Sequence, residues 1–560
     1  MSLFVLVAAG IFNLSVIQGN KFKRLSNRNC IRLLPQLGAR GKILDRNGEI
    51  IADNYLTYDV MVMPQKKEEV SGMIAGISRV LGSRPDQLKE KFRSGYQASF
   101  LPVIIEKNID IKKAIAIEEL KNESPGIIIQ PHPLRRYPHG ELACHVLGYL
   151  NEIDGKRLAK LADSGYNARD IVGFTGVEEK YDYFLRQQDG ALSVEVDHRG
   201  KFMRVLGYRP PQSGNDLQLT LDLRVQKVVE EKMAGRTGSV IIMDPSSGEI
   251  IAMASSPGFK PSAFINKSGP YIARLFKDPD SPLINRSISG VYPPASVFKT
   301  VIASAGLDSG KINLNTTFFC PGHLKVGRRD FACWDTHNQQ NLNQAIAHSC
   351  DVFFYRSGLL LGAQGIHDYA LKFGLGKQTQ VDLPYEVNGF VPSPLWKRMV
   401  RLQNWFDGDT ANFSIGQGDL LVTPLQIARL ISVFANGGFM VTPYIVKKID
   451  GHNTSAGHKK EARIPIKDSV LANVNKGLRQ VVADTEGTAN ILSGLTVSVA
   501  GKTGTAQAPR GQPHAWFAGY FPYNDPKYAI CVFLEHGGSG YASCVLTKQI
   551  IEEMALEGLI

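Results

Sequence analysis

The 560-residue sequence has no low-complexity tract, no heptad run and no fixed internal repeat, which excludes coiled coil and solenoid architectures. Glycine (54) and proline (29) lie near ordinary usage, so a collagen-like or disordered chain is excluded too. No recognised nucleic-acid module accompanies the 64 Lys+Arg, and these residues are spread along the chain against 52 Asp+Glu. The formal charge of +12 therefore implies no nucleic-acid partner and fits an anionic membrane or wall surface. Cysteine is scarce, seven in all, a usage compatible with export; Cys30, Cys144, Cys531 and Cys544 are scattered, whereas Cys320, Cys333 and Cys350 lie close together. What is present is 43% hydrophobic residues in a chain long enough, at about 150 residues per domain, for two to four domains of mixed α and β elements.

No hydrophobic run is long enough to be a full membrane span. Leu3 to Ile17 are apolar apart from Asn13 and Ser15. As a helix this stretch covers roughly 22 Å of a hydrocarbon core about 30 Å thick. Lys21, Lys23, Arg24, Arg28 and Arg32 follow it, and no Lys or Arg precedes it. We read residues 1–20 as a signal-anchor or transmembrane segment, incomplete at its start, that places the remainder outside the cytoplasm at the inner membrane.

From about Leu37 to Gly214 the chain is turn-rich and gathers no nucleophile with a base. GARGKILDRNGEIIADN reads as strand, Asn47-Gly48 turn and strand. Val70, Met73, Ile74, Ile77, Val80 and Leu81 carry helical spacing. This sets residues 21–214 as a non-catalytic scaffold. Near Gly214 the texture changes. An alternating strand (Leu217, Leu219, Leu221) leads into an amphipathic helix, and GSVIIMDPSSGEIIAMASSP reads as a hairpin. LTVSVAGKTGTAQ, HAWFAGYFP and YAICVFLEHG form three more strands near the C-terminus. Residues 215–560 are thus expected to be one α+β domain, an antiparallel sheet flanked by helices.

Three short motifs in that domain carry chemistry. Ser296-Val297-Phe298-Lys299 follows two prolines, and Ser296 is expected in the first turn of a new helix. At spacing i, i+3 its hydroxyl shares a face with the Lys299 amine, which can serve as its base. Alone, this motif is weak, its bland reading being a helix-capping serine and a solvated lysine. Ser349-Cys350-Asp351 supplies a second hydroxyl able to relay a proton. Lys502-Thr503-Gly504-Thr505, at the end of an alternating strand, offers a cation and hydroxyls for a substrate carboxylate, with Gly504 allowing close approach to the strand. The backbone N–H groups of Ser296 and Thr505 are the natural oxyanion pair. In order and in context, the three point to acyl transfer.

The triplet resembles that of penicillin-binding proteins and serine β-lactamases. RGKILDRNGEIIA, RRYPHGELACHVLGY, GFTGVEEKYD, YPPASVFKT, GDTANFSIGQGDLLVTPLQIA, VAGKTGTAQ and HAWFAGYFP resemble class B penicillin-binding proteins over nearly the whole chain. Asp351, where division-specific members carry Asn, is similar to the elongation branch, that of penicillin-binding protein 2. Two positions depart from the family: Ala295 stands for the usual glycine before the nucleophile, and DTHNQQ follows Trp334 where the branch has His-Gly. The resemblance implies a pedestal of the dimerisation type before a D,D-transpeptidase domain that needs no cofactor. Ser296 would attack the D-Ala-D-Ala bond of a peptidoglycan stem peptide, with Lys299 as base, Ser349 as relay, and Lys502, Thr503 and Thr505 holding the carboxylate. It also implies β-lactams as covalent inhibitors, and a RodA-type glycosyltransferase and an MreC-type scaffold as partners. An ionised Asp351 accepts but does not donate, and beside either lysine it favours the charged amine.

Cys320, Cys333, His337 and Cys350 place four soft ligands in 31 residues. Cys-x3-His is zinc spacing, whereas the long outer gaps are not those of a finger. A structural zinc bracing the second motif from behind, a Cys320 to Cys333 disulfide, and buried thiols all remain open, with Asp330 and Asp335 as spare ligands. His514 and Trp516 read as sheet packing, and Trp405, Asp407, Asp409 and Thr410 as either groove or structural loop. Two other functions share the motifs. A β-lactamase or β-lactam sensor would not need the long scaffold, and a scaffold that only activates a glycan polymerase would not need three intact motifs.

Overall fold

The structure is a computed structural model that describes residues 2–23, 31–63, 67–96, 102–124, 126–196, 202–454 and 460–560. Arg24, Arg28 and Cys30 lie outside the described residues. The chain divides into two compact units, one of Met1–Lys42, Ala52–Arg136 and Tyr183–Asp216, the other of Ile43–Ile51, Tyr137–Asp182 and Leu217–Ile560.

In the second unit the hairpin forms around its turn. Strands β1 (Gly238–Met243) and β2 (Ile250–Ser256) pair antiparallel. Between them the Asp244 carboxylate accepts the backbone N–H of Ser246 at 2.7 Å, and Gly248 takes φ +83°, which a side chain would disfavour. The three C-terminal apolar runs become β3 (Ala500–Ala506), β4 (His514–Phe521) and β5 (Tyr528–Leu534). The sheet order is β2-β1-β5-β4-β3, antiparallel throughout, which leaves β3 as an edge. Every residue of β1 and of β4 is buried, because helices cover both faces. The flanking helices are α1 (Leu223–Met233), α2 (Lys299–Asp308), α3 (Leu342–Ala347), α4 (Asp351–Lys372), α5 (Asp407–Ser414), α6 (Pro424–Ala435), α7 (Asp468–Ala483) and α8 (Gly540–Leu556). Helix α6 packs on β1, β4 and β5; α1 and α8 cover the other face. This is the expected sheet between helices.

In the first unit the long strand ending at Val62 pairs antiparallel with Ile127–Arg136 and with Val103–Ile109. The apolar stripe of Lys67–Leu81 closes over it, burying Val70, Met73, Ile74 and Ile77 with Val60, Ile105 and Ile117. A three-stranded antiparallel sheet joins Ile31–Gln36, Gly190–Val196 and Phe202–Arg209. At the N-terminus, Ser2–Phe12 is α-helical and continues as a π-helical turn over Asn13–Ile17. Among the described residues no helix is long and apolar enough to cross a membrane.

Candidate active site

The serine is delivered by a constrained turn. Tyr292 and Val422 exchange backbone hydrogen bonds, both 2.9 Å, and the Ala295 N–H reaches the Gly416 carbonyl at 3.0 Å. Ser296 lies on the 3-10 turn Ala295–Phe298, and α2 begins only at Lys299. Ser296 thus sits in the first turn of the new helix, as expected, and that turn is 3-10 in type. Pro293 and Pro294 bring no N–H, and Ala295 adopts φ +49°, so the chain enters the helix through a tighter turn. Ser296 stays half-buried, whereas Lys299 is fully buried.

The second motif closes on that lysine. Ser349, at φ +55° between α3 and α4, is held in a conformation that non-glycine residues seldom take outside functional sites. Asp351 opens α4, where the helix N-terminus favours a carboxylate. Lys299 Nζ donates to the Ser349 carbonyl at 2.7 Å, to Ser349 Oγ at 3.2 Å and to Asp351 Oδ1 at 2.7 Å. Three ammonium protons thus meet three acceptors.

The third motif lies on the edge strand β3. Lys502 is fully buried, and among the described residues its amine donates to the Thr503 carbonyl (3.3 Å) and Thr503 Oγ1 (3.4 Å). Burial, and next the positive charge of Lys299, hold its amine well below the ordinary lysine range. The Thr503 hydroxyl is engaged with Thr488 Oγ1 at 2.8 Å, so the exposed hydroxyl of the motif is that of Thr505, which accepts the Gly540 N–H at 3.0 Å and keeps its own proton for a ligand. Gln417 Nε2 donates to the Thr505 carbonyl from the open side of β3 at 3.3 Å, and in an extended strand the N–H of Thr505 faces that side too. At Gly504 a Cβ would stand 3.2 Å from the Pro294 carbonyl, so this glycine lets β3 lie against the serine turn, a role other than the substrate approach expected of it. Gly416 and Gln417 carry no individual role in the sequence reading, where they stand only within the GDTANFSIGQGDLLVTPLQIA stretch. The glycine in Ser-Ile-Gly-Gln-Gly was their local signal, since at φ +72° a Cβ there would lie 2.3 Å from the Ala295 carbonyl.

The cysteine cluster assembles behind the second motif. The Sγ atoms of Cys320, Cys333 and Cys350 and a ring nitrogen of His337 lie within 4.8 Å of one another. His337 Nδ1 is 3.4 Å from Cys333 Sγ and 3.7 Å from Cys320 Sγ. Asp330 and Asp335 do not join; Asp335 contributes its carbonyl to the Cys320 thiol and its carboxylate to the Thr336 N–H. None of the described cysteines is in a disulfide. The Cys350 thiol and His337 hold the Cys333 thiol down, while Cys333 and burial push Cys350 up. Cys333 Sγ accepts the backbone N–H of Asp351 at 3.2 Å, so the cluster touches the catalytic motif directly. Trp405, Asp409 and Thr410 close on one another and on Lys397: Trp405 Nε1 donates to Thr410 Oγ1 (2.8 Å) and Lys397 to Asp409 (2.5 Å), a structural brace.

A half-buried serine one turn from a buried lysine, a second serine and a carboxylate on that lysine, and an edge strand presenting a hydroxyl and backbone N–H groups define a serine acyl-transfer site. Residues 238–554 match the penicillin binding protein transpeptidase domain and residues 35–219 the penicillin-binding protein dimerisation domain. The peptidoglycan D,D-transpeptidase MrdA of Escherichia coli strain K12 is 31% identical over 98% of this chain and 91% of its own length. Among solved structures, penicillin-binding protein PBP2 in its complex with MreC from Helicobacter pylori superposes with a TM-score of 0.83 at 29% identity, covering 95% of this chain and all of that one. A chain from a peptidoglycan synthase complex coordinating polymerization and crosslinking gives 0.75 at 27% identity, covering all of this chain and 97% of that one. The chain belongs to the penicillin-binding protein transpeptidase family.

Proposed function

We propose that this chain is a peptidoglycan D,D-transpeptidase of the cell-elongation type, acting through an acyl-enzyme on Ser296. The observation that carries the assignment of roles is the contact set of Lys299, which ties the first motif to Ser349 and Asp351 within 2.7–3.2 Å. Ser296 Oγ attacks the carbonyl of the D-Ala-D-Ala bond of a stem peptide. As an ammonium Lys299 has no free electron pair, so to take the serine proton it first passes one to Asp351 across their 2.7 Å contact. The backbone N–H groups of Ser296 and Thr505 receive the oxyanion. Ser349 relays a proton to the departing D-Ala amine, the C–N bond breaks, and an ester to Ser296 remains. An amine from a second stem peptide attacks that ester, the new amide forms, and Ser296 regains its proton. The broken peptide bond supplies the energy of the new one, so no nucleotide is consumed. The substrate carboxylate lies against Lys502 and the Thr505 hydroxyl, with Thr503 in support. It brings the counter-charge Lys502 lacks, which favours proton uptake on binding.

The chain's own groups perform every step, and no cofactor is required for the chemistry. The donor set of Cys320, Cys333, His337 and Cys350 suits one tetrahedral zinc. A further observation favours it: the four donor atoms already converge. Such an ion would have a structural role, fixing Cys333 and through it the N–H of Asp351. A purified protein free of stoichiometric zinc would remove this part of the reading.

We place the protein at the inner membrane, anchored by its N-terminal segment, with the catalytic unit in the periplasm. The N-terminal helix supports this, since Phe4, Val5, Leu6, Ile11 and Phe12 are all more than half exposed and lipid is the solvent they suit. A RodA-type glycan polymerase and an MreC-type scaffold are the proposed partners, by analogy with the assemblies in which the similar structures occur. A β-lactamase or sensor reading is disfavoured by the match to the dimerisation domain over residues 35–219. Intact-mass spectrometry after penicillin treatment, with the modified peptide mapped, tests the assignment. The expected adduct is one penicillin on Ser296, absent from Ser296→Ala; an adduct that persists in that variant would refute the nucleophile.

A further inference from the structure

The two residues that lead into the serine turn have few ways of being held. Pro293 and Pro294 have no N–H, so only their carbonyls can bond to neighbours. The Pro294 carbonyl faces Gly504 of β3. The Pro293 carbonyl receives the indole N–H of Trp516 at 3.0 Å. Among the described residues that indole is the one side-chain donor to the backbone of 293–295. Trp516 lies on β4 directly opposite Gly504, and it is fully buried. Its ring packs on Phe533 with centroids 4.4 Å apart and meets Tyr292 edge-on at 6.5 Å, so the N–H has a fixed direction. One residue further on, Ala295 holds φ +49°, a left-handed conformation that a side chain keeps only under outside constraint.

We propose that Trp516 is a positioning residue for Ser296. Its hydrogen bond to the Pro293 carbonyl keeps the left-handed Ala295 turn in register with β3, so that the N–H groups of Ser296 and Thr505 converge on one oxyanion. If that bond is lost, Ala295 can relax toward the ordinary φ region. The peptide plane carrying the Ser296 N–H then rotates, and the nucleophile and its oxyanion donor lose their alignment together. The side chain touches no substrate, and its effect is carried through the backbone. This role rests on Ser296 being the nucleophile. It also shows how the chain manages an alanine where the family has glycine: the strain at Ala295 is opposed by a bond formed on the neighbouring strand.

The test replaces Trp516 site-specifically by its benzothienyl analogue, in which sulfur takes the place of N–H in a ring of nearly the same shape. Trp516→Phe serves as a second variant and Phe533→Leu as a packing control. A fluorescent penicillin gives the first-order acylation rate constant and the non-covalent dissociation constant from saturation kinetics, and thermal melts report stability. The analogue is expected to acylate about tenfold more slowly, the scale of one lost hydrogen bond. Its dissociation constant should change by less than about twofold and its Tm should match wild type. Trp516→Phe should show the same rate loss, whereas Phe533→Leu, which loosens the ring but keeps its N–H, should lower Tm and slow acylation by less than either. An analogue that acylates at the wild-type rate overturns the proposal, as does a rate loss that tracks Tm across all three variants. Peptide mapping of the wild-type adduct separates the two readings, because label anywhere but Ser296 overturns the nucleophile itself.

Discussion

In the first unit, buried Asp53 is met by two guanidinium nitrogens of Arg136 at 2.8 and 2.5 Å, and that pairing holds its carboxyl below the usual range. In the second unit, buried Lys502 has among the described residues a carbonyl and a hydroxyl as its hydrogen-bond partners and no ion pair, and burial pushes its amine well below the usual lysine range. The first arrangement is closed, each charge having its counterpart. The second is short of one negative charge, a deficit that costs folding energy and is corrected only by a ligand that brings a carboxylate. The contrast shows where chemistry resides. The buried carboxylate of the first unit is neutralised by its own neighbour, whereas the Lys502 amine is left to take up its proton when a carboxylate arrives.

The hardest blow to that contrast comes from Lys299→Met, which keeps the side-chain length and removes the amine. Acylation by a fluorescent penicillin should fall by about 10³-fold, roughly 4 kcal/mol in the barrier. A loss of less than tenfold would mean that the proton leaves Ser296 by another route. A smaller effect should separate structural from catalytic burial within the second unit. His145 is buried with Nε2 2.7 Å from the Pro282 carbonyl, and burial pushes its pKa down to about 4 from 6.5. The folded state therefore keeps it neutral: its contribution is whole above about pH 6.5 and is lost as pH falls toward 4. His145→Gln, which cannot titrate, should recover roughly 2–3 kcal/mol of that acid-side loss in melts between pH 7 and 4. Parallel pH curves for variant and wild type would show that His145 is not the group responsible. The mildest change sharpens the contrast from the other side. Ile77→Val in the first unit's core, where Ile77 is fully buried, should cost about 1 kcal/mol in chemical denaturation. The acylation rate should stay within twofold; a larger drop would show that the scaffold core governs the chemistry.

Much of this was legible locally. The hairpin around Asp244 to Gly248, the alternating strands at the C-terminus and the apolar stripe over Val70 to Ile77 follow from periodicity and turn chemistry, which act over a few residues. The motif residues could be named as well, because their identities are fixed by the reaction. Other features were hidden. Nothing within reach of Trp516 in sequence says that its indole meets a carbonyl more than two hundred positions earlier. The neighbours that crowd Gly504, Pro294 and Val297 of the serine turn and Trp516 on the next strand, could not be read from its own segment. Thr503 could not be told from Thr505 in the sequence; the packing of Thr488 against one of them makes the difference.

The sequence by itself determined which groups are present, in what order, and which short segments coil or extend, because those properties depend on side-chain identity and near-neighbour sterics. Tertiary structure alone decided that Lys299 meets Asp351 and Ser349, that Lys502 is stripped of water, and that three cysteines and a histidine converge behind the second motif. Each of these depends on distances between segments far apart in the chain and on the exclusion of solvent around them, and neither quantity is encoded in any local stretch.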